Sequence, residues 1–223
     1  MIIAGIDEAG RGPCFGPMTI GLAVMDKEKE TKLKKAGVKD SKELLPKKRE
    51  GLIETIKEEC VENGVLILAP IEINDLMAQY SLNEIEAMKI AELINSIKQN
   101  VEAIYVDSPD AVKGKFEKRI RQYLDKKHAE IKIIAENKAD SKYIVVGAAS
   151  ILAKVKRDEE IEKISEKFGD IGSGYPSDPK TKKFLSEYVK QNKMLPPFSR
   201  IFWETCKKAL EQNETKGEQQ KLF

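Results

Sequence analysis

The chain has a single histidine, His128, and three scattered cysteines, Cys14, Cys60 and Cys206, none in a CxxC pair. These scarcities exclude a disulfide framework and the usual cysteine- or histidine-based zinc sites. They also leave nucleophilic chemistry of the Ser-His-Asp kind to rest on His128 alone. That residue follows Lys126 and Lys127 in a polar stretch and is expected at the solvated surface. No apolar run approaches the roughly 18–20 residues that cross a bilayer. The N-terminus lacks the basic leader of a signal peptide. A cytoplasmic protein without membrane contact is therefore expected. Nucleotide-binding loops are missing too. No GK[ST] sequence occurs, and Gly10-Arg11-Gly12-Pro13 fails the dinucleotide pattern because Phe15 stands where its last glycine belongs. Acid–base or metal chemistry must come from carboxylates.

What the chain has in quantity is charge, and it is unevenly spread. Residues 1–112 hold 14 basic and 20 acidic side chains, whereas residues 113–208 hold 23 basic and 14 acidic. A net-positive C-terminal half suits contact with a polyanion, although a solvated lysine-rich surface has the same composition.

Five β-type runs are predicted, at Ile2–Ile6, Met18–Met25, Val65–Ala69, Ala103–Val106 and Ile131–Ala135. Helical spacing is predicted over Lys27–Ala36, Pro46–Glu62, Ile71–Tyr80, Leu82–Ile97, Lys113–Leu124, Lys142–Lys167, Asp178–Gln191 and Ser199–Gln212. Later strands alternate with helices, so the fold class is α/β, with a mixed five-stranded sheet flanked by helices. An α/β domain over 1–170, helices over 171–212 and a flexible tail over 213–223 are expected. A monomer is expected.

Asp7 and Asp107 end predicted strands, Glu8 adjoins Asp7, and Asp140 follows the fifth strand after a short loop. Open α/β sheets bind ligands beyond their strand ends. Four carboxylates there repel one another unless cations neutralise them, and all-oxygen ligands suit Mg²⁺ or Mn²⁺. Neighbouring strand residues point to opposite faces, so Asp7 and Glu8 are expected to converge through a backbone bend that Ala9-Gly10 permits. With 37 acidic residues available, surface carboxylates at strand ends remain an alternative on composition alone. Likewise the glycines flanking Arg11 allow close backbone approach to a ligand, or simply a tight turn.

The motifs Asp7-Glu8-Ala9-Gly10-Arg11-Gly12-Pro13, Lys39-Asp40-Ser41-Lys42, Tyr105-Val106-Asp107-Ser108-Pro109 and Ala135-Glu136-Asn137-Lys138-Ala139-Asp140 come in this order. Ala148-Ala149-Ser150-Ile151-Leu152-Ala153-Lys154 and Gly172-Ser173-Gly174-Tyr175-Pro176-Ser177-Asp178-Pro179 follow. Together they resemble ribonuclease HII, in its archaeal form. The resemblance implies a ribonuclease H-like fold, with 1–170 as the catalytic domain and 171–212 as a helical C-terminal extension packed on it. It also implies a two-metal endonuclease that hydrolyses the RNA strand of RNA–DNA hybrids and cuts at ribonucleotides embedded in duplex DNA, leaving 3′-hydroxyl and 5′-phosphate ends. By position, Asp7, Glu8, Asp107 and Asp140 match the family's metal-binding catalytic carboxylates. Gly10, Arg11 and Gly12 match its backbone reader of the ribose 2′-hydroxyl, Tyr175 its sugar-packing tyrosine, and Lys42 a lysine near the phosphates. Lys154 and Arg157 are placed as phosphate contacts by charge and position. A non-catalytic hybrid-binding module, or another nuclease of the same fold, is the alternative; the complete carboxylate set and the ribose reader weigh against both. Finally, Gln219-Gln220-Lys221-Leu222-Phe223 resembles a shortened peptide of the kind that docks on a replication sliding clamp.

Overall fold

An eight-residue strand, Ile2–Ala9 (β1), apolar up to Ile6, lies at the centre of the sheet in the computed structural model, which describes residues 1–38 and 44–220, with side chains through Asn213. Met18–Asp26 (β2) returns antiparallel beside it, in unbroken register from Ile2↔Asp26 to Ala9↔Thr19. Cys60–Leu68 (β3) occupies the edge beyond β2. On the other side of β1 run Ala103–Asp107 (β4) and Lys132–Glu136 (β5), both parallel. The order β3-β2-β1-β4-β5 is a mixed five-stranded sheet, as the alternation of strands and helices predicts. β2 is buried along nearly its whole length, so it reads as a continuous apolar segment rather than an alternating one.

The helices are Glu30–Ala36 (α1), Pro46–Glu59 (α2), Pro70–Met77 (α3), Leu82–Ser96 (α4), Lys115–Arg121 (α5), Ala139–Lys142 (α6), Ile144–Phe168 (α7), Pro179–Asn192 (α8) and Glu204–Gln220 (α9). Several start where their caps direct. Ser81 accepts from the Glu84 amide, Asp178 accepts from the Lys180 amide, and Pro46, Pro70 and Pro179 fill first-turn positions.

Three expectations need correction. The helix predicted to reach Glu62 stops at Glu59, and Asn63-Gly64 lies inside β3 instead of closing the helix. Pairing with the neighbouring strand overrides the turn preference of that dipeptide. The last helix extends past Gln212 to Gln220, through a glutamate- and glutamine-rich stretch of good helix formers. His128, expected in solvent, is 6% exposed. It ends a 3₁₀ turn, Lys126–His128, and lines a cavity of about 420 Å³ with Ile97, Val101 and Ile131.

The chain forms two compact units. The first comprises 1–9, 19–67 and 80–156, and contains the sheet. Its core includes Ile3, Ala23, Met25, Leu52, Ile56, Val145, Val146, Ala149 and Leu152. Within it α7 lies directly on strand backbone. A Cβ on Gly5 would sit 2.3 Å from the Val145 carbonyl oxygen, and one on Gly21 2.1 Å from that of Ala149. Thr19 fastens the same contact by donating its hydroxyl to the Ala153 carbonyl at 2.8 Å. The second unit comprises 10–18, 68–79 and 157–223. Its core gathers Phe15, Ile171, Leu185, Val189 and Phe198, and Phe15 meets the Phe198 ring edge-on at 5.2 Å.

The seating of α7 is testable with two glycines. Gly21→Ala overfills a main-chain contact and should destabilise the protein by at least the ~1–3 kcal/mol of core overpacking. A Cβ added to Gly51, on α2, would meet no atom within 4 Å. Gly51→Ala should therefore stabilise by roughly 0.5–1 kcal/mol. Urea unfolding of both variants measures the contrast.

Candidate active site

Pairing geometry produces the acidic cluster. The ladder between β1 and β4 ends at Ile6↔Val106, whereas β1 continues paired to β2 through Ala9. Asp7 and Glu8 thus lie on a stretch of β1 with no ladder to β4, next to the point where β4 delivers Asp107. Carboxylate oxygens of Asp7, Glu8 and Asp107 come within 4.8 Å of one another. The pairing of β1 with β2 runs unbroken through Asp7 and Glu8. Both keep regular strand register, and the left-handed turn falls later, at Gly10 with φ 87°.

Asp140 is not part of that set of three, but its charge acts on Asp7. It is 3% exposed, on α6, a helix entered through Lys138 in a left-handed conformation. Local backbone amides fix the cluster's outer members. Asp107 Oδ1 accepts from the Ala139 amide at 2.7 Å, and Asp140 Oδ1 accepts from the Ser141 amide at 3.0 Å. Asp7 Oδ1 accepts from the Glu8 amide at 2.8 Å.

Burial, reinforced by the charges of Glu8 and Asp107, raises the Asp7 pKa well above its ordinary 3.8. A hydrogen bond from Ser150 opposes the rise, and the charge of Asp140 adds to it. Ser150 is the residue that the motif reading did not single out. The available signal was a lone hydroxyl, 4% exposed in the structure, within the apolar run Ala148–Ala153. Hard oxygen donors held together against their own repulsion fit a divalent cation, with Asp7, Glu8 and Asp107 as its holders.

The other sequence-designated residues lie in the second unit, apart from Lys154, which is half-buried on α7, and Lys42, which falls outside the described residues. Gly12 lies beside Tyr175: a Cβ there would be 3.6 Å from the ring. Gly10 has no room for a side chain, since its Cβ would come within 2.5 Å of Arg157. Tyr175 is displayed by a loop with dense internal bonding. Asp178 Oδ2 accepts from both the amide and the hydroxyl of Ser173 at 2.7 Å, and Thr181 Oγ1 accepts from the Gly174 amide at 3.0 Å. Arg157, assigned to phosphates by charge, is only 4% exposed. Its Nη2 donates to the Ser173 carbonyl at 3.0 Å, and its guanidinium lies 5.1 Å from the Tyr175 ring centroid.

Sheet order, helices and strand-end acids together define a ribonuclease H-like fold. The ribonuclease H2 structure from Pyrococcus horikoshii OT3 superposes with a TM-score of 0.88 at 46% identity, covering 96% of this chain and 99% of that one. The RNase HII component of the PCNA:RNase HII complex from Archaeoglobus fulgidus aligns at 0.82 and 40%, covering 92% and 96%. Ribonuclease HII of Pyrococcus furiosus is 47% identical over 219 residues, 98% of this chain and 96% of that protein. The family model for ribonuclease HII matches residues 4–206. The chain belongs to the ribonuclease HII family, and is a ribonuclease H.

The strained carboxylates yield a prediction about the metal-free protein. Because the folded pKa of Asp7 is raised, folding is linked to proton uptake. Stability in chelator should therefore rise as the pH falls from neutrality through that raised value towards 3.8. Asp7→Asn should flatten the rise and, at pH 7, melt above the wild type. Adding Mg²⁺ or Mn²⁺ should raise the wild-type melting temperature more than that of Asp7→Asn. Thermal melts across pH, with and without metal, check all three.

Proposed function

We propose that the chain hydrolyses the RNA strand of RNA–DNA hybrids and cuts at ribonucleotides embedded in duplex DNA, leaving 3′-hydroxyl and 5′-phosphate ends. The observation that carries this reading is the convergence of the Asp7, Glu8 and Asp107 carboxylates. These three, with Asp140, are the proposed catalytic and metal-holding residues, and the ion is Mg²⁺ or Mn²⁺. When bound, a pair of such ions supplies an activated water and neutralises charge on the leaving oxygen. Burial of Asp7 and the Ser150 hydrogen bond restrict the motion of the carboxylates, so the ligand set is preorganised.

Selectivity is assigned to Gly10, Arg11, Gly12 and Tyr175. RNA differs from DNA at each sugar by the 2′-hydroxyl, which both donates and accepts a hydrogen bond. A glycine-flanked backbone tests that group without consulting the base, and the Tyr175 ring offers the sugar a flat apolar face. Lys42 and Lys154 are assigned to phosphates, whose contacts weaken with salt. Arg157, buried and stacked on Tyr175, is assigned to holding that ring. In this division 1–170 carries the chemistry and 171–212 contributes Tyr175. A duplex with one ribonucleotide should be cut in Mg²⁺ or Mn²⁺. Replacing the target 2′-hydroxyl by hydrogen or fluorine should block the cut, and changing the base should matter little. Asp107→Asn should lower kcat severely, by about 10³-fold or more, while circular dichroism stays native. Efficient cleavage of an all-DNA duplex, or full activity in excess chelator, would contradict the reading.

A replication sliding clamp is proposed as a partner through Gln219–Phe223, supported by the tail's likeness to clamp-docking peptides. The complex of the Archaeoglobus fulgidus relative with PCNA gives that partner a precedent in the family. Those side chains lie outside the described residues. Removing Glu218–Phe223 should abolish clamp binding in a calorimetric titration and leave turnover of a free hybrid unchanged. Undiminished binding by the shortened chain would place the tether elsewhere.

A further inference from the structure

Arg200 has no exposed surface, and no carboxylate among the described residues lies within ion-pair distance of it. Burying a guanidinium this way disfavours folding unless strong hydrogen bonds compensate, so its partners are informative. Nε donates to the Gly16 carbonyl at 3.0 Å and Nη1 to the Arg11 carbonyl at 3.3 Å. The backbone amide of Arg200 donates to the Cys14 carbonyl at 2.9 Å. Trp203, with its ring 4.9 Å from the Arg200 guanidinium carbon, donates Nε1–H to the Gly12 carbonyl at 3.1 Å. Residues 200–203 therefore engage four carbonyls, those of Arg11, Gly12, Cys14 and Gly16, in one six-residue stretch.

That turn is itself anchored. Asn74 on α3 donates to the Ser199 carbonyl and accepts from the Ile201 amide, each at 3.0 Å. The arrangement is not the cheapest way to stabilise a loop. Arg200 Nη2 is buried with no hydrogen-bond partner among the described residues. Burial, and the charge of Arg157, depress the Arg200 pKa to about 9. A glycine-rich segment free to sample its accessible conformations would read a hydroxyl poorly, because the reading needs donors and acceptors already in place.

We propose that Arg200 and Trp203 are positioning residues that fix the Gly10–Gly12 backbone and thereby set the discrimination between ribose and deoxyribose. The inference rests on the sugar-reading role given to that segment above. Neither residue needs to touch substrate; each acts through a carbonyl of the reader.

The test compares Trp203→Phe, Arg200→Lys and Val189→Ala, the last a buried apolar side chain of the same unit that can make no hydrogen bond to the segment. Each is made in the full chain, alone and with Asp107→Asn to prevent cutting. Binding to a duplex with one ribonucleotide and to its all-DNA counterpart gives a selectivity ratio, and turnover of the former gives kcat and KM. Losing the Trp203 hydrogen bond should lower the ratio roughly three- to tenfold, with a fall in kcat. Val189→Ala should lower the melting temperature and keep the ratio. Arg200→Lys, which retains charge but not the forked geometry, should lose selectivity; if it does not fold, Trp203→Phe decides alone. A Trp203→Phe ratio equal to wild type overturns the proposal, as does a loss that Val189→Ala reproduces. If the wild type itself binds and cuts both duplexes alike, the sugar-reading role fails instead.

Discussion

Mutual repulsion among carboxylates is the constraint around which the first unit is organised. Asp7 is driven into the protein at the centre of the sheet, where its charge is least welcome, and three more acids are brought towards it. An isolated chain would relieve this by protonation or by moving the side chains apart. The fold permits neither freely: backbone amides at Glu8, Ala139 and Ser141 hold the carboxylates of Asp7, Asp107 and Asp140, and Ser150 supports Asp7 from α7. The strain is a means of preorganisation, since a cation entering such a set meets ligands already gathered.

The second unit solves the opposite problem, one of too much freedom. Gly10 is needed for close approach and for a positive φ, but the flexibility that it and Gly12 bring must be removed elsewhere. Rigid, hydrogen-bonding and aromatic side chains do this from outside the segment. Arg157 lies against Gly10 and Tyr175, and Trp203 bonds to Gly12. Two buried cations near one another, one without a carboxylate partner among the described residues, are tolerated because each has carbonyl oxygens to face.

Much of this was readable from the residues. The five strands were found because apolar runs bounded by turn residues are a local property. Asp7 and Asp107 stood out because each ends such a run. What was not readable depended on pairing. Nothing near Asn63-Gly64 announces that the edge strand continues through it. Likewise the early end of the β1–β4 ladder, beside which the carboxylates of Asp7, Glu8 and Asp107 meet, is set by two segments far apart in the sequence. Burial of His128 and Arg157 was missed for a related reason. Both sit among lysines and charged residues, and sequence composition says which neighbours are polar but not which way one ring or guanidinium turns. Arg200 and Trp203 carry no signal in the sequence, because their hydrogen bonds to Arg11 and Gly12 span about 190 residues.

The glycine at position 21 has a role beyond packing. It is the register partner of Asp7 in β1, and it faces the Ala149 carbonyl, one residue before the serine that bonds to Asp7. Helix and strand therefore meet there main chain to main chain, with no layer of side chains to compress or reorient. Side-chain layers are where a protein accommodates thermal expansion, through rotamer exchange and small shifts in packing. A contact made without one acts as a spacer, so the separation between Ser150 and Asp7 is set by backbone rather than by side-chain packing. The clustered acids thus take their distance from α7 from main-chain atoms, through the smallest residue in the sheet.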